Sequence, residues 1–131
     1  MTNFERVREF MKSMEQERPS NATWPDEKTE RLREKLIEEE FIELKDAVVA
    51  KDMVAVADAL ADLLYVVYGA GVTFGLPLDE IFREVHRSNM TKLDSDGRPI
   101  KNEAGKVVKG PNYQSPQLEK FVVFAEKEEN A

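Results

Sequence analysis

EEEFIELKDAVVAKDMVAVADALADLLYVVYG, Glu38 to Gly69, is the stretch whose reading decides the fold. It contains the end of one amphipathic segment, the short connection AKD (Ala50 to Asp52), and most of a second, strongly apolar segment. Each residue of an α-helix turns about 100° around the axis. With Leu36 at zero, Leu32, Ile37, Phe41, Leu44, Ala47 and Val48 share one arc with it, from about −40° to about 140°. Glu40, at about 40°, and Glu43, at about −20°, fall inside that arc, and Glu39, at about −60°, sits at its edge. Glu38, near 200°, belongs to the solvent side. A helix from Pro25 or Asp26 to about Ala50 therefore carries carboxylates where leucines are expected.

The second segment repeats the anomaly. From Val54 to Tyr68 nearly every residue is apolar, and the only charges are Asp58 and Asp62. Four residues apart on a helix, they stack on one face. A bare carboxylate in apolar surroundings costs several kcal/mol unless paired or metal-bound. Arg33, at about 60° on the same arc, is one internal cation, split between a salt bridge and a phosphate contact. One guanidinium does not neutralise four or five acids, whereas divalent cations do. An all-oxygen donor set favours magnesium or manganese over zinc or copper. A di-iron bundle would need Glu-x-x-His pairs on facing helices, and the sole histidine, His86, is in none. The competing reading, a merely solvated acidic face, is disfavoured by the apolar context of the whole set.

Outward from this pair, Phe4, Val7, Phe10, Met11 and Met14 recur at helical spacing and predict a first helix from about Thr2 to Gln16. ERPSNATWPDE reads as a loop, with Pro25, Asp26 and Glu27 suited to a helix start. The apolar helix should run from Met53 to Phe74 and end at Gly75; it is too short and too interrupted for a membrane span. A fourth helix follows Pro77, with Ile81, Phe82 and Val85 expected on its inner side. Beyond Lys92 the chain is rich in Gly, Pro and Asn, with turns expected at Asp96-Gly97 and Ala104-Gly105. An arm or small hairpin is expected there, and FVVFAEKEENA is expected to form a last strand or short helix with a frayed end.

The 131 residues fit one all-α domain, a helical core over 1–92 with an arm over 93–131. Nineteen basic and 26 acidic residues give a net charge of −7, which argues against a nucleic-acid binder but not against a nucleotide held through cations. Without cysteine, and with a charged N-terminus and no spanning apolar run, the chain is expected to be cytoplasmic and not membrane-bound.

EEEFIEL followed by DALADLLYVVYG resembles the all-alpha nucleotide pyrophosphohydrolases, a superfamily that includes MazG, the dimeric dUTPases and phosphoribosyl-ATP pyrophosphohydrolase. HRSNMTK (His86 to Lys92) and the GPNY arm resemble its small phosphoribosyl-ATP pyrophosphohydrolase-like members. The resemblance implies a MazG-like four-helix bundle and a homodimer. It also implies magnesium-dependent cleavage of (d)NTP between the α and β phosphates, in nucleotide-pool cleaning. Its EExxE pattern carries over to Glu39, Glu40 and Glu43, and the final Asp of its ExxD pattern to Asp62. Ala59 stands where ExxD has its glutamate, and Asp58 is the nearest substitute. A metal set of Glu39, Glu40, Glu43, Asp58 and Asp62 follows, with Glu39 or Glu40 acting on the attacking water. Asn89 and Lys92 resemble the family's phosphate-contacting pair. Tyr113, with Trp24, Phe10 and Tyr65, is a base-stacking candidate against which plain core packing is weighed. The alternatives are a non-catalytic metal- or nucleotide-binding module and a phosphoribosyl-ATP hydrolase.

Overall fold

A computed structural model describes residues 1–126 and gives an all-helical protein with four α-helices among them. The helices are α1 (Asn3–Ser13), α2 (Glu27–Val49), α3 (Met53–Thr73) and α4 (Leu78–Met90), and a 3-10 turn covers Glu119–Phe121. The chain divides into two compact units, Met1–Leu78 with Val123–Ala131, and Asp79–Val122. The residues after 126, where the frayed end was expected, lie outside the described ones.

In the first unit each helix is started by a side chain that satisfies an otherwise unpaired N–H. Thr2 and Glu5 form a capping box on α1; Asp26 accepts from the Thr29 amide on α2, and Asp52 from the Ala55 amide on α3. α1 stops at Ser13, short of the expected Gln16. Glu15 takes a left-handed φ of 57° and the Gln16 amide returns to the Met11 carbonyl, a closure that ends helices. α3 ends one residue before Phe74, with Gly75 at φ 69°.

Val7, Met11 and Val72 form the buried centre, with Phe4 and Tyr68 packed on it. Phe10 meets Tyr65 edge to face at 5.5 Å between ring centroids, so two of the stacking candidates are paired with each other across α1 and α3. The loop after α1 is held by its backbone: the Thr23 amide donates to the Phe74 carbonyl and the Ala22 amide to the Val123 carbonyl. Ala22 and Phe124 form a single parallel bridge, all that the expected last strand amounts to within the described residues.

The second unit differs from expectation on α4. Ile81 and Val85 are half-buried, but Phe82 is 72% exposed, and the buried residues are Glu84 and Ser88. The covered face is polar because the arm supplies partners for it. Glu84 receives two hydrogen bonds from Arg87 and one from the Gln117 amide, which together hold its carboxyl down at about 2. Ser88 donates to the Gln114 carbonyl at 2.7 Å. The two expected turns are present, with Gly97 and Gly105 at positive φ, and one antiparallel bridge, Lys101 to Val107, closes the second into a minimal hairpin.

Candidate metal centre

The short connection Ala50 to Asp52 returns α3 antiparallel against α2. One carboxylate oxygen each from Glu40, Glu43 and Asp62 lies within 4.8 Å of the others. Glu40 is half-buried, and its Oε2 is buried with no hydrogen-bond partner among the described residues. Burial and the neighbouring Glu43, then Asp62 and Asp58, push the Glu40 carboxyl above its ordinary value. An orphaned buried oxygen beside two more carboxylates is a donor set for a hard divalent cation, and the residues present fit one.

The other sequence candidates are placed differently. Asp58 is exposed and lines a cavity of about 330 Å³ with Glu43 and Ala59, next to the three-carboxylate cluster. The Glu39 side chain is about half exposed, with its carboxylate 3.9 Å from the Lys35 ammonium, and it is not one of the three that converge. Ala59, at the position of the missing family glutamate, is only 3% exposed.

Seven residues along each helix from Glu40 and Asp62, Arg33 crosses α3 at Gly69. A Cβ on Gly69 would lie 2.9 Å from Arg33 Nη1, so glycine leaves the guanidinium room to lie there. Burial lowers the pKa of Arg33 from its ordinary value, and its Nε has no partner among the described residues. Arg33 borders a cavity of about 570 Å³ between the loop after α1 and the facing ends of α2 and α3. Arg18 and Thr73, on the same cavity, were invisible to sequence reasoning: neither position carries a period or motif. Trp24 stands 73% exposed, edge-on to Phe74 at 5.9 Å.

Asn89, Lys92 and Tyr113 belong to the second unit. Side-chain hydrogen bonding with Ser88 lowers the pKa of the Tyr113 hydroxyl, with Lys109 and Lys92 adding to it. The Lys109 ammonium sits 4.8 Å over the Tyr113 ring. Asn89 is exposed at the end of α4, and Lys92, half-buried, donates its amide to the Asn89 carbonyl.

The chain is all-helical, and acids from two antiparallel helices converge on one point. Residues 7–89 match the phosphoribosyl-ATP pyrophosphohydrolase family, and the chain belongs to that family, within the MazG-like all-alpha pyrophosphohydrolases. The family is one of pyrophosphohydrolases acting on nucleotides. The chain is also 36% identical over 104 residues to uncharacterized protein L479 of Acanthamoeba polyphaga mimivirus. That match covers 75% of this chain and spans 38% of the viral protein's length.

Proposed function

We propose that the protein is a magnesium-dependent nucleoside triphosphate pyrophosphohydrolase that converts (d)NTP to the monophosphate and pyrophosphate. The observation that carries this is the cluster of Glu40, Glu43 and Asp62 with its orphaned Glu40 oxygen. These three residues would hold the metal, which when bound supplies charge neutralisation for phosphate oxygens and activation of water. The chain's own contribution is to fix that position on two rigid helices and to accept a proton. In the reaction, water oxygen bonds to the α phosphorus and the bond to the oxygen bridging to the β phosphate breaks. Pyrophosphate leaves with the electron pair, and the proton of the water passes to the carboxylate of Glu39 or Glu40. The test is pyrophosphate release from a panel of NTPs, dNTPs and phosphoribosyl-ATP with magnesium or manganese. Release from none of them refutes the proposal, and release from phosphoribosyl-ATP alone moves it to that narrower substrate.

A non-catalytic binding module has one observation in its favour, the buried Ala59 in place of a glutamate. Ala59→Glu separates the two readings. With Asp58 already serving the site, a glutamate forced into that packed position leaves the rate unchanged or lowers it. A tenfold or larger gain, about 1.4 kcal/mol in the barrier, would instead mark the natural chain as degenerate.

We further propose that the protein works as a homodimer. Among the described residues only six apolar side chains are buried, while Val54 is 82% exposed and Met53, Leu60, Leu64 and Val67 are exposed along the same helix. Contrary to the expectation from sequence, α3 with its 21 residues is long and apolar enough to cross a membrane by length and composition, yet it carries Asp58 and Asp62, which a second copy covering its apolar residues accommodates better than lipid does. Sedimentation equilibrium should give twice the chain mass of 15.0 kDa. A monomer at micromolar concentration would refute this.

A further inference from the structure

Three of the four buried side-chain polar atoms that lack a partner among the described residues belong to Arg18 Nε, Arg33 Nε and Thr73 Oγ1, and all three residues line the same cavity of about 570 Å³. Natural folds rarely leave buried donors unpaired, and a cluster of them in one cavity marks a place completed by a ligand. Among the described residues no ion pair forms at either arginine, although Glu17 and Asp26 also border the cavity. The Asp26 carboxylate is engaged as the cap of α2, accepting from the Thr29 amide at 2.8 Å.

The two acids balance the two guanidiniums in formal charge, so the cavity favours a neutral, acceptor-rich group over a phosphate. Pro19, Pro25 and Leu32 give it apolar walls suited to a flat ring. Its position relative to the metal centre is set by the helices. Arg33 and Glu40 are seven residues apart on one face of α2, two turns or about 10 Å along the axis. That is the reach of a nucleoside monophosphate from its phosphate to the far edge of its base.

We infer that this cavity receives the base of the nucleotide, and that Arg18 and Arg33 select bases whose edge presents carbonyl acceptors, guanine and uracil or thymine, over adenine and cytosine. The inference rests on the nucleotide reading of the acidic cluster. Guanidiniums carry donors only, so they match O6 and N7 of guanine or O4 of uracil and oppose the exocyclic amino groups of adenine and cytosine. Thr73, able to donate or accept, adds contact without discrimination.

The test has two arms. In the first, kcat/KM is measured for GTP, UTP, ATP and CTP with magnesium on the natural protein and on Arg18→Gln and Arg33→Gln. The natural protein should prefer GTP and UTP by about tenfold or more, and each variant should lower those two selectively, bringing the four within a few-fold. In the second, GMP, UMP, AMP and CMP are titrated in EDTA against the fluorescence of Trp24, which flanks the cavity-lining Thr23 and Pro25. GMP and UMP should quench, and neither variant should respond. Arg18 lies outside any helix, so its variant keeps the test alive if Arg33→Gln fails to fold.

Selective quenching without hydrolysis of any triphosphate upholds the cavity and refutes the hydrolase. Hydrolysis without base preference, or variants that slow all four bases alike, overturns the inference and leaves the hydrolase standing. Inorganic phosphate displacing GMP from the natural protein overturns it in favour of an anion site.

Discussion

Glu43→Gln and Asp62→Asn are each expected to lower pyrophosphate release on the order of a hundredfold or more, because each removes one of the three converging carboxylates proposed to hold the metal. The same variants are expected to melt higher than the natural protein in EDTA, by about 3 °C for each kcal/mol of repulsion relieved. The reason lies in Glu40, whose folded-state pKa is raised first by burial and then by Glu43. The folded chain holds that proton more tightly than the unfolded chain. Metal-free stability therefore falls as pH rises from the ordinary 4.5 through the raised value, and stays low above it. Differential scanning calorimetry in EDTA, from pH 4 to 8, should show this decline in the natural protein and a flatter profile in Glu43→Gln. Magnesium should restore the natural protein at neutral pH and do little for either variant. Variants that melt lower in EDTA at pH 8 would mean that these acids stabilise one another through some other partner.

Gly75→Ala is expected to be the most damaging small substitution in the first unit. The residue sits at φ 69°, which alone costs an alanine about 1–2 kcal/mol. A Cβ there would also fall 1.9 Å from the Asn21 carbonyl oxygen, a backbone atom that cannot swing aside. The loop would have to move, breaking the bond from the Thr23 amide to the Phe74 carbonyl. A loss of more than about 2 kcal/mol follows, with a drop in Tm of at least several degrees in calorimetry. Gly97→Ala has a similar φ but no atom within 4 Å of the new Cβ, and provides the control. Equal effects at both positions would show that backbone conformation, and not the close approach to Asn21, governs Gly75.

α2 and α3 were legible because their signal is periodic and local. The helix-start residues Pro25 and Asp26, the connection AKD and the breaker Gly75 placed their ends to within a residue or two. The 100° rotation also put Glu40 and Glu43 on one arc, and both reach the cluster with Asp62, but only Glu40 is half-buried and Glu43, expected inside, is exposed. What periodicity does not carry is a partner distant in the chain. Glu84 reads as one more surface glutamate, and only the Gln117 amide, 33 residues on, makes its burial tolerable. Phe82 was expected inside for the complementary reason: an apolar side chain on a helix says that it prefers cover, not that cover exists. Arg18 lay in a loop between irregular residues, where neither period nor motif points at anything. Asp58 and Asp62 share a face by spacing, but which of them reaches Glu40 depends on the rotation of α3 against α2, a tertiary quantity.

The antiparallel seam on which Glu40 meets Asp62 and Arg33 meets Gly69 behaves as a gauge. Both stations recur after seven residues on both helices, so their separation is locked by helical rise and is indifferent to loop motion. A molecule that touches both stations is measured for length before it is recognised by chemistry. Slipping either helix by one residue would rotate both stations out of line together, so the spacing of the stations and the convergence of the three carboxylates stand or fall as one unit.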